Sequence, residues 1–354
     1  MLVLGAAAIS CSVLFPASAG ALTAGAGLAY VTGTASSPST VWSASASGSE
    51  AHSLGLGSDP LLAPNGLSVA ASLFGSGTGT EQGPALALYS TVPGIATRSF
   101  LSLQSATALP LAWSPDSRYL AVFLQSTALR NIAQKSTLEV LDTQTGSLAT
   151  IAHGQIYGAS FAPDGSDRLA YARAPSLAEP APRNIYTSNP DGTGQRLITH
   201  DGRSLNPIWG SRYLAYDRER RRRNDLPAFQ IWLRVMRPGA VAPRRLTNVR
   251  VSGLVSGLVP IGFSANGSRL LSEFEGQDTS EAWTVTVASG RARRLTSHGR
   301  SVIAAGLSSD GATVLVDEGF FEEPASNGRI ATLPFSGGRA SVLVAHGSQG
   351  SWTG

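Results

Sequence analysis

The sequence predicts an all-β fold made of repeated four-stranded units, and three observations lead to this prediction. The composition is rich in turn formers, with 39 Gly and 20 Pro, and only 14% of the residues are charged. No long stretch has the periodicity of an amphipathic helix. A strand–turn–strand pattern recurs along the chain at intervals of 44 to 54 residues. We therefore expect a β-propeller of four-stranded antiparallel blades.

Each repeat begins with two short apolar strands around a turn that contains Pro, Asn, Asp or Gly. Asp-Gly and Asn-Gly between such strands are strong signals for a β-hairpin. The copies start at residues 61, 111, 159, 207, 261 and 305, and read LLAPNGLSVAAS, LAWSPDSRYLAVF, ASFAPDGSDRLAYAR, PIWGSRYLAYDRE, IGFSANGSRLLSEF and AGLSSDGATVLVDE. A second pair of strands follows most copies, and four strands make one blade. Because one blade cannot bury both faces of its sheet, the blades must stack around an axis.

The repeat predicts seven blades, with six as the alternative count. Residues 27–57 match only the last three strands of a repeat, whereas GSWTG at 350–354 matches the start of an innermost strand. We expect residues 348–354 to add an innermost strand to residues 20–57, which closes the ring and removes two exposed edges. The other six blades are expected at residues 58–108, 109–156, 157–204, 205–258, 259–302 and 303–347.

The first nineteen residues, MLVLGAAAISCSVLFPASA, are uncharged and end in the small-x-small pattern of Ala17-Ser18-Ala19. They predict a signal peptide at residues 1–19, followed by one domain at residues 20–354. Cys11 is the only cysteine, and its lipidation is the alternative. No later stretch is apolar enough to span a membrane. The interpretation is an exported protein of the extracellular space or cell envelope.

The repeat also resembles that of a known family. The pairing of WSPDSRYLAVF at 113–123 with NIYTSNPDGTGQRLITH at 184–200 is similar to the repeat of TolB-like propellers, which are relatives of the WD repeat without its Trp-Asp signature. The resemblance covers essentially the whole chain after the predicted signal peptide. It implies an envelope protein that binds partners without catalysis, although similar blades also form the non-catalytic half of propeller-bearing peptidases. The copy at residue 207 departs from the pattern, because Trp209-Gly210-Ser211 lacks the Pro-Asp turn.

The axial pocket is the place where an enzyme of this fold could work. The first residues of the innermost strands are expected to line it, and they are Asp59, Pro110, Gly158, Asn206, Pro260, Ala304 and Gln349. Only Asp59, Asn206 and Gln349 are polar, so this ring lacks the two carboxylates of general acid–base catalysis. The chain also lacks the common nucleophile, zinc and nucleotide motifs. We predict no enzyme, no cofactor and no metal; a lyase or cyclase that uses the axial pocket is the alternative.

A run of arginines is the most basic feature of the chain. Arg218, Arg220, Arg221, Arg222 and Arg223 lie in DRERRRRNDLPA, residues 217–228, between the second and third strands of one repeat. A solvated loop is the plain interpretation. The functional interpretation is an anion-binding patch, because guanidinium groups make paired hydrogen bonds to oxyanions. No aromatic residues alternate with the arginines for base stacking, so nucleic acid is not the expected partner.

The other connections between second and third strands are also long. They occupy the same place in each repeat and must therefore emerge on one face. Phe320 and Phe321, in one of these connections, are candidate contact residues. We predict a monomeric, non-catalytic propeller that binds a protein or an anionic envelope component through this long-loop face. An extracellular sensor or scaffold subunit is a further alternative.

Overall fold

The computed structural model is all-β throughout the part of the chain that it describes, which confirms the predicted fold class. The described residues are 25–33, 39–73, 83–103, 106–126, 136–176, 181–221, 227–236, 242–250, 256–276, 279–296, 301–318 and 328–353. Within these ranges, no helix is long and apolar enough to cross a membrane. The predicted signal peptide and Cys11 lie outside the described residues.

Within the described ranges, twenty-eight strands form seven four-stranded antiparallel groups, which we call blades 1 to 7. From the innermost to the outermost strand, blade 1 consists of β28 (Ser348–Trp352), β1 (Leu28–Thr32), β2 (Thr40–Ala44) and β3 (His52–Leu56). Blade 2 consists of β4 (Ser58–Leu62), β5 (Ser68–Ser72), β6 (Gly83–Ser90) and β7 (Arg98–Leu103). Blade 3 consists of β8 (Ala106–Trp113), β9 (Tyr119–Ser126), β10 (Thr137–Asp142) and β11 (Leu148–His153).

Blades 4 to 7 follow in chain order with the same arrangement. Blade 4 consists of β12 (Gln155–Phe161), β13 (Leu169–Ala174), β14 (Asn184–Ser188) and β15 (Arg196–Leu197), and blade 5 of β16 (Ser204–Trp209), β17 (Tyr213–Arg221), β18 (Pro227–Val235) and β19 (Arg244–Arg245). Blade 6 consists of β20 (Ser256–Phe263), β21 (Arg269–Glu275), β22 (Ser280–Thr286) and β23 (Arg291–Arg294). Blade 7 consists of β24 (Val302–Leu307), β25 (Thr313–Glu318), β26 (Arg329–Pro334) and β27 (Ser341–Val344). Several innermost strands begin one to three residues before the blade boundaries expected from the repeat.

The blades close into a ring. The innermost strands contact one another in the order β4, β8, β12, β16, β20, β24 and β28, and β28 contacts β4 again. Seven hydrophobic clusters lie between successive blades, and each one takes its buried side chains from two neighbours. Leu28 and Tyr30 of blade 1 pack with Leu315 and Ile330 of blade 7 in the last of these clusters. Each sheet face is therefore buried by the next blade, as the repeat argument requires.

Strand β28 joins the two ends of the described chain in one sheet. It pairs antiparallel with β1, with Leu28 opposite Trp352, Ala29 opposite Ser351 and Val31 opposite Ser348. The Ser351 hydroxyl also accepts a hydrogen bond from the Leu62 amide of blade 2 at 2.9 Å. The predicted closure of the N-terminal blade by a C-terminal innermost strand is confirmed. We call β28 the clasp strand.

The recurring Ser-x-Asp turn has a local hydrogen-bond explanation. In blade 7 the Asp310 carboxylate accepts bonds from the Ser308 hydroxyl and the Ala312 amide, while the Ser308 hydroxyl accepts the Thr313 amide at 2.9 Å. The turn at Ser114 repeats this arrangement, and in the turn at Ser264 the side-chain oxygen of Asn266 takes the place of the carboxylate. These short polar side chains therefore satisfy the backbone groups that the turn leaves unpaired.

Blades 5 and 6 share one continuous sheet. Beyond its antiparallel partners, β18 pairs in parallel with β20, with Ala228 opposite Ser256 and Phe229 opposite Gly257. Strands β17 and β18 are nine residues long, and their pairing extends to Arg221 opposite Pro227. The expectation of a loop at the arginine run is thus wrong for Arg218, Arg220 and Arg221, which lie in β17. The parallel contact with β20 supports this longer hairpin.

Candidate binding face and axial mouth

The innermost strands all carry a β-bulge, which lies between the second and the sixth residue of the strand and not at its first residue, where the axial ring was expected. The register against the neighbouring strand shifts in every blade, between Ser58 and Leu61 in β4 and between Leu205 and Ile208 in β16, for example. The residues at these bulges are the predicted axial ring of Asp59, Pro110, Gly158, Asn206, Pro260, Ala304 and Gln349. β-bulges redirect side chains and commonly occur beside functional sites.

The three polar residues of the axial ring share an unusual backbone conformation. Asp59, Asn206 and Gln349 have φ values of 50°, 45° and 55°, in the left-handed region, and Gly158 has a φ of 84°. Non-glycine residues seldom adopt this region unless the surrounding structure imposes it. The surrounding structure therefore holds these ring residues in one particular backbone conformation.

Asp59 and Gln349 contact each other across the junction of blades 1 and 2. The Gln349 side-chain oxygen accepts the Asp59 amide at 2.8 Å, and its Nε2 donates to Asp59 Oδ1 at 3.2 Å. The Ser58 hydroxyl donates to Asp59 Oδ2 at 2.8 Å. Both side chains are half-buried. These two candidate ligand-binding residues thus also hold the clasp strand against blade 2.

A row of three buried acids lies behind the axial ring. Asp217, Glu273 and Asp317 occupy the same position in the second strands of blades 5, 6 and 7, and we call them the acid row. Their exposed fractions are 0%, 9% and 1%. Glu273 accepts the Ala304 amide of the next blade at 3.0 Å. Asp317 accepts the Gln349 amide of the clasp strand.

Asp217 differs because the next residue of the axial ring is Pro260, which has no amide hydrogen to donate. Its Oδ1 instead accepts a hydrogen bond from Asn206 Nδ2 at 2.9 Å, within its own blade. Its Oδ2 is buried and has no hydrogen-bond partner among the described residues, and the same is true of Asp317 Oδ1. The acid row therefore keeps some hydrogen-bonding capacity unused beside the axis.

Burial raises the pKa of all three acids to about 7. The charged form of a carboxylate is disfavoured where water is excluded, and the hydrogen bonds to Asn206, Ser280 and the clasp strand only partly offset this. The charge of Glu275 further raises the pKa of Asp217 and of Glu273. No ion pair between described residues involves the acid row.

The sequence prediction missed the acid row, because it considered only the first residues of the innermost strands. The signal was present one strand later. In YLAYD, RLLSE and TVLVD, which end at Asp217, Glu273 and Asp317, an acid follows the buried apolar start of three successive second strands. Among the described residues, no three His, Cys, Asp or Glu side chains are grouped to hold a metal ion.

The arginine run lies at the same face as the axial ring. Ser204, at the start of β16, pairs with Arg218 towards the end of β17, which places both at the side from which the second strands lead to the third. The Arg218 side chain lies 3.4 Å from the Asp201 carboxylate and over the Trp232 ring, at 4.8 Å from its centre. Arg220 is exposed. The side chain of Arg221 is not described.

The remaining candidates cannot be placed. Arg222, Arg223, Phe320 and Phe321 lie outside the described residues. Of the predicted contact residues on the long-loop face, the structure thus describes the side chains of Arg218 and Arg220 alone, and Arg218 already has an acidic and an aromatic partner within the protein.

Solved structures of several propellers are similar to this chain. TolB from Acinetobacter baumannii matches 93% of the chain with a TM-score of 0.51 and 15% identity, and the chain spans 66% of that protein. The fold is a TolB-like β-propeller. The propeller domain of the trilobed protease from Pyrococcus furiosus, which has an open velcro topology, gives a TM-score of 0.65 at 11% identity over 91% of this chain and 97% of that one.

Enzymes are also among the solved structures that are similar to this chain. An oligogalacturonate lyase in complex with manganese has a TM-score of 0.56 at 13% identity, with 81% of each chain covered. No protein-family model matches the sequence, and no curated protein matches it. At these identities the likeness concerns the fold alone, so the function must be argued from the site.

The opposite face of the propeller carries a cleft between blades 3 and 4. Its volume is about 450 Å³, and its acidic lining residues are Asp142, Asp167 and Asp191. Asp142 forms an ion pair with Arg118 at 2.8 Å, and Asp191 accepts hydrogen bonds from Thr193 within its own turn. These two acids therefore have structural roles, and Asp191 stabilises the turn of its own hairpin.

Proposed function

We propose that this protein is an exported, non-catalytic propeller that binds a protein or an anionic envelope component at the face carrying the axial ring. The strand topology is the observation that supports it. Because the blades are antiparallel and equivalent, every second strand ends and every third strand begins at this face, where the polar ring residues also lie. A rigid ring with variable connections on one side is the usual binding architecture of repeat proteins.

Arg220 is the described residue best suited to contact an anionic group of the partner. Its side chain is exposed, and the pairing of Arg220 with Ala228 holds it on a regular hairpin. Arg218 is a weaker candidate, because its guanidinium already contacts Asp201 and Trp232. The proposal therefore shifts the expected contact towards the far end of the hairpin.

The proposal is tested by recovering partners from an envelope fraction with the wild-type protein, with Arg220→Glu, and with Gln144→Glu as a control. Gln144 is exposed in a turn of the opposite face, so its replacement changes the charge without touching the proposed surface. We expect Arg220→Glu to lower recovery of the main partner at least about tenfold, the scale of one lost charge-assisted contact. Equal recovery with both variants would contradict the proposed face.

Export is a separate part of the proposal and rests on residues 1–19. A reporter fused to residues 1–24 should appear outside the cytoplasm. Cys11→Ser distinguishes the two routes, because it abolishes membrane attachment only if the cysteine is lipidated. Cytoplasmic retention of the reporter would contradict export.

Catalysis at the axis is the second candidate function, and the acid row is the observation that favours it. Carboxyl groups with pKa values near 7 are suited to general acid–base catalysis. Against this, Glu273 and Asp317 are each hydrogen-bonded to the backbone of the next blade, which gives them a structural role. Cleavage of an envelope glycan by the wild type, lost in Glu273→Gln or Asp317→Asn at unchanged stability, would establish the enzyme instead.

A further inference from the structure

The outermost strands of three adjacent blades carry a set of exposed arginines. We call it the arginine belt, and it consists of Arg196 in β15, Arg244 and Arg245 in β19, and Arg291, Arg293 and Arg294 in β23. These strands lie at the circumference of blades 4, 5 and 6, away from the axial ring and from the arginine run of β17. The belt is thus a surface distinct from the proposed binding face.

Protection of sheet edges does not account for the belt. Charged residues on an outermost strand discourage pairing with other chains, and every blade has such an edge. Yet β3, β11 and β27 contain no Arg, Lys, Asp or Glu, and β7 contains only Arg98. The arginines are therefore concentrated on one sector of the ring, which edge protection does not require.

Acidic residues are scarce around this sector. The sequence has no Asp or Glu between Asp225 and Glu273, and none between Glu281 and Asp310. These two stretches include β19 and β23 together with the turns before them. Glu281 itself is buried and is paired with Arg294 at 3.5 Å. Arg244, Arg245, Arg291 and Arg293 therefore have no acidic residue in their own stretches, although Arg294 is paired with Glu281 and Asp191 lies in the turn before β15. The belt as a whole carries an excess of positive charge on a surface that is weakly charged elsewhere.

Two belt arginines are held in place by the neighbouring blade. Arg244 Nη2 donates to the Val287 carbonyl of blade 6 at 3.2 Å, and Arg293 Nη1 donates to the Ser336 carbonyl of blade 7. Each bond uses one of the five N–H donors of a guanidinium, so the others stay available to a ligand. Because these side chains are anchored, less conformational entropy is lost when they bind an anion.

We propose that the arginine belt binds a linear anionic glycopolymer. The charges follow the convex circumference over three blades, so the ligand must bear several anions along a flexible chain. Arg291 and Arg294 alone are about 10 Å apart along an extended strand. A flat membrane would touch only a narrow strip of this curved surface. Strands β15, β19 and β23 present no aromatic side chain for stacking bases, which disfavours single-stranded nucleic acid.

The test uses dextran sulfate as the probe and uncharged dextran of the same length as its reference. Arg196, Arg245 and Arg291 are exposed, and their side chains form no hydrogen bond, ion pair or ring contact with other described residues, so the triple variant Arg196→Ser, Arg245→Ser, Arg291→Ser should fold normally. We expect the wild type to bind dextran sulfate with an affinity that falls steeply with salt. The triple variant should bind at least about tenfold more weakly and with a shallower salt dependence.

The matched control removes three exposed arginines from elsewhere, as Arg98→Ser, Arg203→Ser, Arg212→Ser. It has the same net charge as the belt variant, so a general charge effect would weaken both proteins equally. Equal weakening would overturn the proposal. So would binding to uncharged dextran, or tighter binding to phosphatidylserine vesicles or single-stranded DNA than to dextran sulfate.

Discussion

At the scale of single residues, the hydrogen bonds of the acid row depend on whether the facing residue of the axial ring has a backbone amide to donate. Glu273 and Asp317 each meet the amide of a ring residue on the next blade, whereas Asp217 meets Pro260 and relies on Asn206. The ring positions could be predicted, because they stand at a constant distance before each repeat anchor. Their left-handed conformation and their acidic neighbours could not, since both depend on how adjacent blades pack.

Stability should decrease as the pH rises from about 5 to 8. The pKa of each acid-row carboxyl is about 7 in the folded protein and about 4 in the unfolded chain, so the folded state binds more protons between these values. The stabilisation is complete below pH 4 and is lost as the pH rises through 7. Thermal unfolding across this range should show a Tm that falls as the pH rises. In a variant that combines Asp217→Asn, Glu273→Gln and Asp317→Asn, the Tm should depend much less on pH.

Asp191→Asn is the control for this experiment. Hydrogen bonds from Thr193 lower the pKa of Asp191, so its contribution to stability changes only below its ordinary value near 3.8. The dependence between pH 5 and 8 should therefore be that of the wild type. If the acid-row variants retained the full wild-type dependence, another group would be responsible for it.

At the scale of elements, the length of the hairpin of β17 and β18 could not be predicted from the sequence pattern. Charge runs usually repel and extend, so the arginine run was expected in a loop. The structure instead continues β17 to Arg221, because β18 pairs both with it and with β20. A parallel contact between blades leaves no periodic signal in either segment. The hairpin could not be predicted from the repeat for that reason.

Gly257 should be essential to this contact between blades 5 and 6. A β-carbon at this position would lie 2.4 Å from the Phe229 backbone nitrogen and oxygen. Gly257→Ala should therefore destabilise the protein by about 1–3 kcal/mol, as is typical of overpacking. Urea denaturation monitored by tryptophan fluorescence measures the change.

Gly262 offers a matched control in the same strand. No atom lies within 4 Å of a β-carbon added there, so Gly262→Ala should change stability by less than about 0.5 kcal/mol. A similar loss for both substitutions would mean that the close approach of Gly257 to Phe229 does not constrain the sheet.

At the scale of the whole molecule, the sequence was sufficient for the fold class, because the repeat specifies four strands per unit and a buried sheet demands a neighbour. The TolB-like resemblance agrees with the solved structures. The proposed binding site was harder to predict from the sequence, because repeats preserve the scaffold and vary the connections. The arginine belt appears only after the blades are placed side by side, because its members are far apart in sequence.

Deletion of residues 348–354 should greatly destabilise the ring. It removes the hydrogen bonds of β28 to β1, the Ser351 contact with Leu62, and the cover of Leu28 and Tyr30. We expect a loss of about 5 kcal/mol from several backbone bonds and the exposed apolar surface, with a lower Tm. Amide hydrogen exchange at Leu28–Val31 should accelerate.

A shorter deletion of Thr353 and Gly354 serves as the control, because it leaves β28 intact. It removes only the bond from the Thr353 amide to the Gly27 carbonyl at 3.1 Å among those described, so the Tm should change little. Unchanged exchange at Leu28–Val31 after the longer deletion would show that the clasp strand does not protect β1.

The clasp strand also sets the order in which the molecule can fold. During synthesis, β1 emerges first and its partner β28 last, so the inner edge of β1 stays unpaired while the other six blades form. Joining segments so distant in sequence carries a large loop-closure entropy and is intrinsically slow. Ring closure is then the final step, and until it occurs the edge of β1 is open to pairing with another chain. The protein is thus most prone to pair with another chain just before β28 closes the ring, because the edge of β1 is covered only after closure.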